Sequence, residues 1–102
     1  MLDLVKEEDL KFNGSIVLKF HAEWCAPCKR MDTVVKKMEK EFPDTVIYCI
    51  DVDKIPKLAK KYKIMSVPTL IFFKESKEIE RIVGMVLTEP LRKAFKVVAD
   101  KE

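Results

Sequence analysis

No stretch of about 18 uncharged apolar residues occurs in this 102-residue chain, so nothing in it reads as a membrane-spanning segment. The opening residues, Met1 to Gly14, lack the apolar core of a secretory signal. They carry Asp3, Lys6, Glu7, Glu8, Asp9 and Lys11 instead, which points to a cytoplasmic protein. Repeats, low-complexity tracts and linker-like shifts in composition are also absent, and the length suits one domain spanning residues 1–102. Charge of one sign is missing as well: 20 Lys and Arg face 17 Asp and Glu, for a net charge of +3. The two signs interleave, as in Lys36-Lys37-Met38-Glu39-Lys40-Glu41, which reads as a solvated helix face and excludes a nucleic-acid footprint. Cysteines number three, an odd count that does not make a secreted disulfide framework.

What is present is enough apolar residue, 48%, to build a core without disulfide or metal staples. Ser15 to Ala22 reads as a strand, with Asn13-Gly14 as a turn before it. From Pro27 to Phe42 the period changes. Met31, Val34, Val35, Met38 and Phe42 recur at helical spacing, and Pro43-Asp44 ends the helix. Thr45 to Val52 is a near-continuous apolar run that suits a strand covered on both faces. A short helix is expected over Ile55 to Tyr62. Strands are expected over Val67 to Phe73 and Ile79 to Val83, joined through Lys74 to Glu78. A last helix is capped by Thr88, with Leu91, Ala94, Phe95 and Val98 as its buried stripe. The expected fold is α/β, a central mixed sheet of four to five strands with helices on both faces.

Two cysteines stand together as Cys25-Ala26-Pro27-Cys28, where the first strand runs almost directly into the first helix. A cysteine at a helix N-terminus meets free backbone N–H groups and the positive end of the helix dipole, and both favour thiolate over thiol. Cys28 follows one turn later on the same face, a spacing compatible with a disulfide. The pair can therefore cycle between dithiol and disulfide. Cys25 is expected to be the exposed nucleophile, and Cys28 the deeper sulfur that resolves the mixed disulfide. Pro27 stiffens the turn between them.

Trp24-Cys25-Ala26-Pro27-Cys28-Lys29 resembles the active site of the thioredoxin family, and Val67-Pro68-Thr69 looks like that family's cis-proline loop. Phe20, Ala22-Glu23, Asp51-Val52-Asp53, Pro56 and Gly84 also match, so the resemblance runs from Ile16 to the end of the chain. It implies a thioredoxin fold with Pro68 in cis against the two cysteines. Trp24, Val67, Pro68, Thr69, Gly84 and Met85 would form the docking patch for disulfide-containing substrate proteins. Lys29 and Pro27 would support the pair. Electrons would come from a thioredoxin reductase, a flavin enzyme using a nicotinamide cofactor, while the domain itself, a monomer, would hold no cofactor and no metal.

Three positions depart from the family. A buried Asp that takes the resolving thiol's proton is matched by Lys19. Lys19 has three readings: a neutral base if burial depresses its pKa, a charged group that stabilises thiolate and makes the protein more oxidising, or a side chain that reaches solvent and does no chemistry. A Lys that partners the family's Asp is matched by Cys49, which reads as a small buried hydrophobe. His21, the only histidine, shares a strand face with Lys19 and reads as packed or partly exposed rather than as a general base.

The leading function is a protein-disulfide reductase and electron carrier. Proline before Cys28 resembles the reducing members of the family, while the altered Lys19 and Cys49 keep open an oxidase, an isomerase or a reductase devoted to one partner. A remote reading makes His21, Cys25, Cys28 and Cys49 four zinc ligands, although their spacing is not that of a known finger.

Overall fold

The computed structural model describes residues 1–99. Its sheet has five strands: β1 (Leu2–Asp3), β2 (Ser15–His21), β3 (Val46–Asp51), β4 (Thr69–Lys74) and β5 (Lys77–Val83). Its helices are α1 (Ala26–Glu41), α2 (Pro56–Lys61) and α3 (Thr88–Ala99). The strand order is β1-β3-β2-β4-β5. β1, β3 and β2 run parallel, β4 is antiparallel to β2, and β5 is antiparallel to β4.

The alternation of side chains along β2 divides the core in two. Val17 packs with Met31, Val35 and Met38 of α1 and with Leu91, Ala94, Phe95 and Val98 of α3. Ile16, Leu18 and Phe20 point the other way, against Leu58 of α2 and against Leu4, Leu10 and Phe12 of the N-terminal segment. Neighbouring residues of a strand thus serve opposite layers, as a two-residue period requires. Phe95 joins two elements to α3: its ring stacks on Phe42 at 5.6 Å and meets Phe72 of β4 edge-on at 5.2 Å.

Most boundaries fall within one residue of the sequence expectation, and three features depart from it further. β1 was not expected, because a two-residue strand leaves no periodic run to read. The β4–β5 turn is tighter than expected. Only Glu75 and Ser76 separate the paired residues Lys74 and Lys77, both at positive φ (49° and 70°), the geometry of a two-residue hairpin turn. β4 starts at Thr69 rather than Val67, directly after Pro68, which has no N–H to give to a ladder. The Val67–Pro68 peptide is cis.

Replacing Phe95 with Ala removes a side chain buried to 0% exposure between α1, β4 and α3. The expected loss is about 3–5 kcal/mol of unfolding free energy. Urea denaturation of the variant measures it; a loss below about 1 kcal/mol would contradict this packing.

Candidate active site

β2 ends at His21, and α1 begins at Ala26. Between them Cys25 takes extended backbone angles as the N-cap of α1, and its Sγ accepts a hydrogen bond from the Cys28 backbone N–H at 3.1 Å. A sulfur occupies the capping position more often filled by a Ser or Asp oxygen, on the positive end of the helix. Pro27 lies in the first turn of α1, where a missing N–H leaves no carbonyl unsatisfied. Cys25 and Cys28 are disulfide-bonded, with Cα atoms 5.3 Å apart.

The cis-proline loop closes over this pair. The Val67 carbonyl oxygen lies 3.7 Å from Cys25 Sγ. The loop is held from behind by two hydrogen bonds: Gly84 N–H donates to the Pro68 carbonyl at 2.8 Å, and the Thr69 hydroxyl donates to the Ser66 carbonyl at 2.7 Å. Gly84 has φ +88°, a conformation that glycine adopts freely and that aims its N–H at the loop.

Cys25 is not the exposed sulfur expected from the sequence. It is 3% exposed, as is Cys28, because the bonded pair is tucked among Ala22, Val52 and Val67. Thr69 is likewise not a surface contact: it is buried, and its hydroxyl staples the loop. Pro68 is buried, and Lys29 is exposed. Trp24 is 71% exposed, with its indole N–H donating to Asp53 Oδ2 at 2.8 Å, and Met85 is also exposed. Trp24 borders a hollow of about 150 Å³ floored by Val52, Ala59, Ile64 and Val67. Met65, 93% exposed on its rim, was missed in the sequence. Its place directly before the Ser66-Val67-Pro68 loop was the available signal.

On β2, Lys19 is buried, its side chain 3% exposed, which rules out the reading in which it reaches solvent. Its Nζ lies 2.5 Å from Asp32 Oδ1 of α1. Sequence reasoning missed Asp32. The signal was its spacing, four residues after Cys28 and next to Met31, which puts a carboxylate beside the inward stripe of the helix. With its Nζ engaged by the Asp32 carboxylate, Lys19 stands as an ion-pair partner rather than as a free base. Cys49 sits beside Lys19 across the β2–β3 ladder, and burial pushes its thiol up, leaving it protonated at neutral pH. His21 pairs with Asp51 in the next row. Among the described residues, no group of three or more His, Cys, Asp or Glu converges to hold a metal, so His21, Cys25, Cys28 and Cys49 do not form a zinc site. No helix among them is long and apolar enough to cross a membrane.

A sulfur on a helix N-terminus bonded to a second sulfur one turn on, with a cis-proline loop against the first, is an arrangement suited to disulfide exchange. Comparison with known proteins agrees. The thioredoxin family model matches residues 5–97. The chain belongs to the thioredoxin family. It is 40% identical to a thioredoxin of Chlamydia trachomatis serovar D over 88 residues, 83% of this chain and 86% of that protein. Thioredoxin-2 of Saccharomyces cerevisiae is 41% identical over 69 residues, 68% of this chain and 66% of its own length. Among solved structures, mitochondrial thioredoxin 3 of Saccharomyces cerevisiae in its oxidized form superposes with a TM-score of 0.86 at 30% identity, covering 95% of this chain and 94% of that one. A mutant thioredoxin from Halobacterium salinarum gives 0.87 at 26% identity, covering 99% and 92%. As a thioredoxin-family member with its cysteine pair at bonding distance, the chain is a thiol–disulfide oxidoreductase.

The charge around His21 carries a measurable consequence. Burial, and then the Lys19 cation, hold its imidazole below the ordinary value of 6.5, against the opposing pull of Asp51, Asp32 and Asp3. The folded protein therefore prefers neutral His21. Its contribution to stability is complete above pH 6.5 and is lost as the pH falls from 6.5 through the lowered folded value, where the unfolded chain takes up the proton first. A proton NMR titration of His21 should give a midpoint below 6.5, and Lys19→Met should move it upward without fully restoring it. A wild-type midpoint at or above 6.5 would contradict the arrangement.

Proposed function

We propose that this chain acts as a single domain that reduces protein disulfides and carries electrons from a reductase to its substrates. The observation that carries the reading is Cys25 at the N-cap of α1, bonded to Cys28 and facing the Val67 carbonyl. In the reduced protein, Cys25 is the attacking thiolate, favoured by the helix N-terminus, and Cys28 is the resolving thiol. An extended segment of the substrate docks on the apolar patch of Trp24, Met65, Val67, Gly84 and Met85, with buried Pro68 shaping the loop beneath it. Its backbone pairs with that of Val67, and Thr69 contributes by holding the loop in place. Lys29 borders the pair from the exposed side of α1. A flavin-dependent, nicotinamide-consuming thioredoxin reductase recharges the pair, and the chain works as a cytoplasmic monomer that holds no cofactor. Proline at position 27 favours the reducing direction over an oxidase or isomerase.

Catalysed reduction of insulin by a small dithiol tests this. The wild-type protein should accelerate the reaction, and Cys25→Ser should lower the rate at least about 100-fold, as expected for loss of the attacking group. The redox potential should lie near about −270 mV. A value above about −200 mV would indicate the oxidising direction, and wild-type inactivity with insulin would refute the reading.

A further inference from the structure

The Lys19–Asp32 ion pair lies where the resolving step needs a proton acceptor. Cys28 is buried in the first turn of α1, and Asp32 follows four residues later on the same face, about 5–6 Å away between Cβ atoms. The Asp32 carboxylate is divided between two environments. Oδ1 is inaccessible to solvent and meets Lys19 Nζ at 2.5 Å, while the side chain as a whole is 40% exposed. Apart from that ion pair, Oδ1 accepts no hydrogen bond among the described residues. One oxygen of the group is thus buried against Lys19, on the helix face that Asp32 shares with Cys28, while the side chain as a whole still reaches water.

The surroundings of the pair leave Asp32 as the acceptor. From β2, Lys19 is committed to the ion pair, and His21 lies beyond it toward the open end of the strand. From β3, Cys49 is a protonated thiol, and Asp51 accepts hydrogen bonds from the backbone N–H groups of Asp53 and Lys54. From β1, Asp3 pairs with Cys49 at the sheet edge. On α1 itself Lys29 and Lys36 flank Asp32 and are exposed cations. On α3 the charged contact with α1 is Arg92 on Glu41, at the far end of the helix.

We propose that Asp32 is the proton acceptor for Cys28, supplied from the helix where the family's carboxylate stands on the strand, and that Lys19 is the positioning residue that holds it. The proposal rests on the Cys25/Cys28 reading above. In the mixed disulfide, the Cys28 proton passes to the Asp32 carboxylate, directly or through one water. The Cys28 thiolate then attacks Cys25 Sγ. The Cys25–Cys28 bond forms, the bond between Cys25 and the substrate sulfur breaks, and its electron pair leaves on that sulfur as a thiolate. The substrate disulfide gains two electrons, the cysteine pair loses two, and the proton reaches solvent through the exposed side of Asp32.

Single-turnover reduction of insulin, quenched with acid and followed by mass spectrometry, separates capture by Cys25 from release by Cys28. In Asp32→Asn at pH 7, release should slow on the order of ten- to a hundredfold while capture stays within about twofold of wild type, so that mixed disulfide accumulates. The deficit should shrink as the pH is raised to 9, where hydroxide replaces the base, and Asp32→Glu should restore the wild-type profile. Removing Asp32 alone strands the buried Lys19 charge. The double variant Lys19→Met/Asp32→Asn, which strands none, should show the same slow release and the same relief at pH 9. Unchanged release in both variants, or a deficit equal at pH 7 and pH 9, would overturn the proposal. Absence of any Cys25 mixed disulfide in Cys28→Ser, where nothing resolves it, would instead overturn the reading beneath it, and the proposal with it.

Discussion

The passage from the end of β2 to the N-cap of α1 governs the chemistry of this protein. Ala22 accepts the Cys25 N–H at 3.2 Å, Cys25 Sγ accepts the Cys28 N–H at 3.1 Å, and the chain has turned from strand to helix. Cys25 is fixed by backbone hydrogen bonding at both its N–H and its Sγ, and Cys28 is held by the first turn of α1. Their geometry is therefore as rigid as the sheet and helix that carry them. The opposite wall is fixed in the same way, through Gly84 N–H on Pro68 and the Thr69 hydroxyl on Ser66. A disulfide at this junction can open and close without moving either support.

Below the junction the structure accommodates a charge in its core. A lone buried ammonium would be costly, and breaking a buried pair typically costs about 3–5 kcal/mol. Lys19 avoids that through Asp32, which reaches in from α1 while keeping part of its carboxylate in water. Burial is the larger influence on both neighbours, lowering His21 and raising Cys49; the Lys19 cation adds to the first and opposes the second.

Much of this was legible in the residues. The apolar stripe of α3 and the inward positions of α1 follow directly from helical spacing. The cysteine pair announced itself by standing between a strand pattern and a helix pattern with proline at its centre. Other features were hidden for physical reasons. Two residues of β1 carry no period. Burial of Cys25 depends on the loop at Val67, which is distant in sequence and meets the pair only in the fold. Thr69 looks like any polar residue flanking a site until its hydroxyl is seen bonded to Ser66. Asp32 was obscured because a single carboxylate beside a helix stripe resembles the border of the solvated face. Only the position of Lys19 across the layer gives it a partner.

The central claim is a division of labour in which Cys25 captures and Cys28 releases. Trapping tests it most directly. A Cys28→Ser variant incubated with a disulfide-containing protein should accumulate a one-to-one mixed disulfide, which peptide mass spectrometry should map to Cys25. A mixed disulfide mapped to Cys49, or none at all, would contradict the account.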